Sequence, residues 1–296
     1  MNAVSYRSID VPVEGGNLHV GVWGNQGPVI FCSHGITANH ISFAGLAEQL
    51  AAQCQVIAPD HRGRGKSRGI TGPWGMERHA DDIVAVLDQL NIETVDLLIG
   101  HSMGGFIGVV TKARYPKRIK QLMLVDGGLP LMDSVPASVS SEYLIESVIG
   151  PAMRRLDLTF ESVDDYLAFW TKHPAFNAPF DEATKRYFEY DLCGEAPTLK
   201  PGINKAAIIS DTESQLIDDL VARSAAAIDE PITFVWAPRG IMNDAPLYTE
   251  ERLLELQTRY PNIHRCDADD VNHYTVVVSS AGAVQLAEKV RRQLAA

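Results

Sequence analysis

Several features are scarce in this chain, and each scarcity excludes something. No run of about 18 or more apolar residues occurs, so no segment reads as a membrane-spanning helix. Basic residues are outnumbered, with 26 Lys and Arg against 37 Asp and Glu and a formal net charge of −11. That balance disfavours nucleic acid, an anionic membrane or a strongly acidic small molecule as partner. There are only four cysteines, Cys32, Cys54, Cys193 and Cys266, and no pair has C-x-x-C or metal-ligand spacing. They read as reduced thiols of a cytoplasmic protein, and neither a metal nor another cofactor is implied. The opening residues Met1 to Arg7 carry no apolar stretch of the kind a secretory leader needs. Internal repeats and low-complexity tracts are absent. What is present, 296 residues with 46% hydrophobic and 21% charged, suits one large globular domain or one domain with a sizeable insertion.

Apolar periodicity organises most of the chain. Ser8–Val13 and Leu18–Trp23 read as a hairpin turned at Glu14–Asn17. Strands are predicted at Pro28–Ser33, Gln55–Asp60, Val95–Ile99, Gln121–Asp126, Ile232–Trp236 and Ile263–Cys266. Helical patterns fall at 41–52, 77–90, 105–114, 247–260 and 281–294. Strands of continuous apolar character alternating with helices predict a parallel sheet covered on both faces. The rhythm stops after Gly127-Gly128-Leu129-Pro130 and resumes only at Ile232; the interval is helical and rich in aromatics, among them Tyr166, Phe169, Trp170, Phe176, Tyr187 and Phe188. An interval so long, with secondary structure of its own, reads as a lid subdomain rather than a loop.

The densest chemical signal is Gly100-His101-Ser102-Met103-Gly104, a G-x-S-x-G between a predicted strand and a predicted helix. A serine in that turn is presented at the strand's end, beside helix N–H groups without intrahelical partners. Its hydroxyl needs a base, and imidazole titrates in the right range. Of nine histidines, His273 alone sits in a short loop between the last strand and the last helix, and it is the predicted base. His34 reads as structural, and His101 as fixed by the turn and directed away from the serine. His40, His61, His79, His173 and His264 read as surface or helix residues. Two aspartates compete to hold the base. Asp126, directly after a strand and before two glycines, is preferred; Asp244, before Ala245-Pro246, is the alternative, with helix capping as its competing role. The Met103 and Ile36 N–H groups are candidate oxyanion donors. Leu129 and Trp170 are candidate substrate-pocket residues.

With these residues in place the chain resembles the α/β-hydrolase superfamily, specifically its lid-bearing serine esterases. The resemblance rests on His34-Gly35, on Asp60-His61-Arg62-Gly63-Arg64-Gly65-Lys66-Ser67 against D-x-R-G-x-G-x-S, on the serine turn, and on the Ser102, Asp126, His273 order. It implies an α/β fold with a mostly parallel eight-stranded sheet, helices on both faces, a core of residues 1–128 and 231–296, and a helical lid over 129–230. One departure stands out. Where the family usually carries its acid, in W-G-x-x-D, this chain reads Trp236-Ala237-Pro238-Arg239-Gly240. Gly65-Lys66-Ser67 is no phosphate loop, because Asp60 occupies the position that requires glycine. The cluster Arg62, Arg64, Lys66 and Arg68 reads as a solvated or locally hydrogen-bonded loop. The implied activity is hydrolysis of a small apolar ester, lactone or thioester through an acyl-enzyme. Ring-fission C–C hydrolysis and a non-catalytic ligand receptor are the alternatives.

Overall fold

A computed structural model describes residues 5–133, 140, 143, 146, 150, 153–176, 179–216 and 218–295. An antiparallel hairpin leads the chain, β1 (Tyr6–Val13) pairing with β2 (Gly16–Trp23). Six further strands complete the main sheet: β3 (Val29–Ser33), β4 (Gln55–Pro59), β5 (Val95–His101), β6 (Ile119–Val125), β9 (Ile232–Trp236) and β10 (Ile263–Asp267). A separate two-stranded ribbon is formed by β7 (Leu192–Cys193) and β8 (Lys200–Pro201). The main sheet has the order β1-β2-β4-β3-β5-β6-β9-β10. β2 meets β4 antiparallel, and every pairing from β4 onward is parallel. The eight-stranded, mostly parallel sheet is the one the strand pattern predicts.

Alternation along the central strands divides the core between the two faces. Leu98, Leu122 and Leu124 pack on one side, with α2 (Met76–Gln89) and α3 (Met103–Arg114). Leu97, Ile99, Met123 and Val125 pack on the other, with α1 (Ala44–Leu50) and the C-terminal helix Ser280–Ala295. Each of these fully buried aliphatic side chains contributes roughly 1.5–3 kcal/mol. Local chemistry trims some predicted elements. The helix predicted from residue 41 begins as a tight turn over His40–Phe43, because the Asn39 side chain accepts the Ile41 N–H and caps it. The helix predicted from residue 247 begins at Glu250, capped by the Thr249 hydroxyl, so Asp244 caps nothing.

Between β6 and β9 lie α4 (Val163–Trp170), α5 (Glu182–Asp191), the β7–β8 ribbon, α6 (Lys205–Leu216) and α7 (Leu220–Ala226). This insertion is tied to the sheet domain by specific contacts. Thr184 Oγ1 donates to Val278 O (3.2 Å), Tyr190 OH to Asp60 Oδ2 (2.6 Å), and Asn272 Nδ2 to Ala175 O (2.8 Å). Its Trp170 stacks on Phe188 at 4.6 Å between ring centroids, inside an aromatic cluster with Tyr166 and Phe176. Pro151, expected to stop a helix here, lies outside the described residues. Among the described residues no helix is long and apolar enough to cross a membrane.

Candidate active site

Ser102 occupies the turn between β5 and α3 with φ 53° and ψ −122°, a left-handed conformation forced on a residue that has a Cβ. Two neighbours make the turn sterically possible by being glycine. A Cβ on Gly104 would lie 1.9 Å from Ser33 O, and one on Gly100 would lie 2.2 Å from Gly104 O. The Ser102 N–H donates to Val125 O (3.0 Å), which continues the sheet ladder into the turn. The serine therefore stands at the C-terminal edge of the sheet, where open α/β sheets place their ligands.

His273 follows β10 in a buried loop, held by its N–H on Arg239 O (2.9 Å) and by its carbonyl, which accepts from His101 Nε2 (2.7 Å). Asp126 follows β6, fully buried, with φ 45°. Its Oδ2 accepts from His273 Nδ1 at 2.7 Å, a contact between residues 147 positions apart. That bond fixes the proton on Nδ1 and leaves Nε2 as the free ring nitrogen. Asp244, the alternative, is exposed, and His273 Nδ1 bonds Asp126 rather than it; the Asp244 carbonyl accepts the Gly240 N–H and closes its own loop.

Ser102 and His273 line one cavity of about 70 Å³, though no hydrogen bond joins Ser102 Oγ to the ring. Catalytic hydrogen bonds are often long in unliganded enzymes and tighten in the complex. Ile36 and Leu131 also line the cavity, and the insertion supplies Tyr187, Gln215 and Leu216. The N–H groups of Ile36 and Met103 donate to no acceptor among the described residues. Both remain available to an oxyanion. Neither Leu129 nor Trp170 lines this cavity. Leu129 is buried in the core, its backbone bonded to the Tyr248 hydroxyl, and Trp170 is consumed by the aromatic cluster of the insertion. Sequence patterning missed Tyr187, Gln215 and Leu216, because polarity and spacing in an insertion do not say which helix end meets the sheet.

The alpha/beta hydrolase fold family profile matches residues 28–149. Cis-3-alkyl-4-alkyloxetan-2-one decarboxylase of Shewanella oneidensis is 26% identical over 270 residues, 88% of this chain and 80% of the relative. The 3-hydroxybutyrate-oligomer hydrolase of Cupriavidus necator is 26% identical over 279 residues, 88% and 87% of the two chains. The crystal structure of E-2-(acetamidomethylene)succinate hydrolase superposes with TM-score 0.79 over 99% of this chain and 100% of that one, at 20% identity. This chain has the α/β-hydrolase fold.

In this chain the position after β9 where the family resemblance would put an acid holds Gly240, and it has no room for a side chain. A Cβ there would lie 2.4 Å from Ala245 O. Three of the histidines read as surface or helix residues are buried: His40 in the tight turn before α1, His61 in the loop after β4, and His79 on α2, where the helix reading holds. His61 Nε2 shares a hydrogen bond with Ser33 Oγ (2.8 Å), and its N–H donates to His34 Nε2 (2.9 Å). His34 spends its Nδ1–H on Gly35 O (2.7 Å), and burial pushes its pKa down to about 3, so it is a neutral strut under the Gly35-Ile36 turn. Burial, with His273 beside it, likewise holds His101 well below the usual range. His101 is held in place, its Nε2 donating to His273 O, and so ties the serine turn to the His273 loop; rather than pointing clear of the serine, it borders the same cavity.

The basic loop differs most from expectation. Arg62 and Arg64 are completely buried rather than solvated. Arg62 grips Asp82 with two bonds of 2.6 Å, and Arg64 pairs with Asp211 of α6. Buried guanidinium groups demand such partners, and the carboxylates are distant in sequence, so the loop alone gave no sign of them. Among the described residues no group of three or more His, Cys, Asp or Glu side chains is arranged to hold a metal ion.

Proposed function

We propose that this α/β hydrolase is a serine esterase that cleaves a small to medium apolar carboxylic ester or lactone through an acyl-enzyme. Ser102 Oγ attacks the carbonyl carbon while His273 Nε2 takes the hydroxyl proton. The N–H groups of Ile36 and Met103 hold the oxyanion, and Asp126 keeps His273 oriented and stabilises the imidazolium. His273 returns the proton to the leaving alkoxide, then deprotonates a water that attacks the acyl carbon and frees the acid. The observation that carries this reading is the shared cavity: a strained serine and an imidazole with one nitrogen bonded to a buried carboxylate face the same space. Residues 129–230 act as a cap, supported by the insertion residues that wall the cavity. The small, largely apolar cavity favours a short acyl group. The lactone and ester names of the two relatives agree with the bond type.

Ser102→Ala tests the reading. It is expected to fold, to lose labelling by a fluorophosphonate probe, and to lower kcat on p-nitrophenyl butyrate by about 10⁶-fold. Retained turnover in the variant, or a wild-type protein that neither labels nor turns over, overturns the proposal. A dienoic diketone cleaved faster than the ester would move the reaction to a C–C bond.

A further inference from the structure

Arg64 is bonded in four directions, and two of them lead to the candidate oxyanion donors. Its Nε donates to Ile36 O (2.9 Å), and one terminal nitrogen lies 3.7 Å from Met103 Sδ. The other terminal nitrogen donates to Arg62 O (2.9 Å) and pairs with Asp211 Oδ2. Asp211 in turn accepts from His79 Nε2 (3.0 Å) and from the Gly75 N–H (2.7 Å), and Ser214 Oγ of the same helix accepts the Met76 N–H (3.1 Å). Arg64, Asp211 and His79 are all fully buried. Helix α6, which carries Gln215 and Leu216 into the cavity, is therefore bolted by Asp211 to a side chain that touches both Ile36 and Met103.

We propose that Arg64 and Asp211 are positioning residues that aim the oxyanion donors and register the insertion to them; this rests on the serine-esterase reading above. Several observations favour positioning over a merely structural ion pair. A guanidinium can hold the carbonyl of Ile36 and a carboxylate at fixed angles at once, which an ammonium cannot. Ile36 sits in an irregular turn whose N–H has no partner, so no regular secondary structure fixes its direction. A misplacement of about 1 Å at such a donor can cost about 10²-fold in rate. Asp211 touches no residue of the proposed catalytic set and acts through Arg64 and through the helix it anchors.

The test uses the full chain, p-nitrophenyl butyrate and an alkyl boronic acid, whose tetrahedral adduct on serine needs the same donors. Arg64→Met is expected to lower kcat about 10²-fold with KM within about twofold, and boronate affinity should fall by a matching factor. Arg64→Lys keeps the charge but should leave kcat about tenfold low, because one ammonium cannot span both partners. Asp211→Asn preserves volume and an acceptor for Gly75; it is expected to fold and to lose about tenfold in kcat, and it decides the matter alone if Arg64→Met is insoluble. Folded variants with wild-type kcat and boronate affinity, changed only in Tm, overturn the proposal. A wild-type enzyme inactive on the ester and unlabelled by fluorophosphonate would instead sink the esterase reading, and this inference with it.

Discussion

Two buried carboxylates in this molecule each accept from a histidine Nδ1, and they could hardly be used more differently. Asp60 Oδ1 accepts from both the N–H and the Nδ1 of His40, at 2.9 and 2.8 Å. Its Oδ2 accepts from the Lys66 N–H and the Tyr190 hydroxyl, at 2.8 and 2.6 Å. Even the far nitrogen of His40 is occupied, by the Tyr6 hydroxyl at 3.1 Å. Asp126 has His273 on Oδ2 and nothing on Oδ1, and the far side of His273 opens on a cavity beside Ser102. A carboxylate–imidazole contact is thus no signature of chemistry by itself. Satisfied on every side it is a joint between segments; left open at the ring's outer nitrogen beside a strained serine, it is the arrangement the proposed esterase mechanism needs for moving protons.

Substitutions can break that comparison. The largest effect belongs to Asp126→Asn, which should leave the protein folded and lower kcat by about 10⁴-fold through the wrong tautomer and an unstabilised imidazolium. Asp244→Asn, measured on the same activated ester, should stay within about twofold of wild type, because its side chain is exposed and His273 bonds Asp126 instead. Equal losses in the two would remove Asp126 from its role.

Asp60→Asn should do the reverse: a loss of about 3 kcal/mol in urea unfolding, with the kcat of the folded protein little changed. It also sharpens the comparison through pH. Burial alone would raise the Asp60 carboxyl, but the His40 charge and the hydrogen bonds from His40 and Tyr190 outweigh it and hold it below the usual carboxylate range. A depressed folded value means stability that is present above the unfolded value, about 3.9, and lost as pH falls through the folded one. The wild-type Tm should therefore drop below about pH 4. The drop should be shallower in Asp60→Asn but not abolished, because Asp211, held low against its burial by His79 and Arg64, loses stability in the same direction. A Tm profile identical in wild type and variant would show that Asp60 is not the titrating joint.

The smallest effect is expected at Trp170→Phe. The indole N–H is buried without a partner and the ring does not line the cavity, so the variant should shift KM by less than about twofold and Tm by only a few degrees. A large rise in KM would return Trp170 to the substrate wall.

Legibility in the sequence followed the range of the interactions. The eight strands, their order of appearance, the serine turn and the late-loop histidine could be read directly. Each depends on local apolar periodicity or on glycines adjacent to the residue they serve, as Gly100 and Gly104 do for Ser102. The local pattern favours Asp126 over Asp244 without excluding Asp244, because each follows a strand and each has capping as a competing role. Only the parallel pairing of β6 beside β5 and β9 sets Asp126 under His273, while the Gly240 loop carries Asp244 outward. The misreadings share one cause. His40, His61, Arg62 and Arg64 look like surface residues wherever their partners are invisible, and those partners, Asp60, Ser33, Asp82 and Asp211, come from other segments.

The chain by itself thus determined the fold class and the position of its strained serine, since continuously apolar strands, helical stripes and a glycine-flanked turn are properties of neighbouring residues. Tertiary structure alone decided which carboxylate backs the histidine, which buried arginine grips which aspartate, and which insertion residues wall the cavity. Those are contacts across 20 to 147 positions of chain, made only when the sheet order brings strand ends together and burial forces every charge to find a partner.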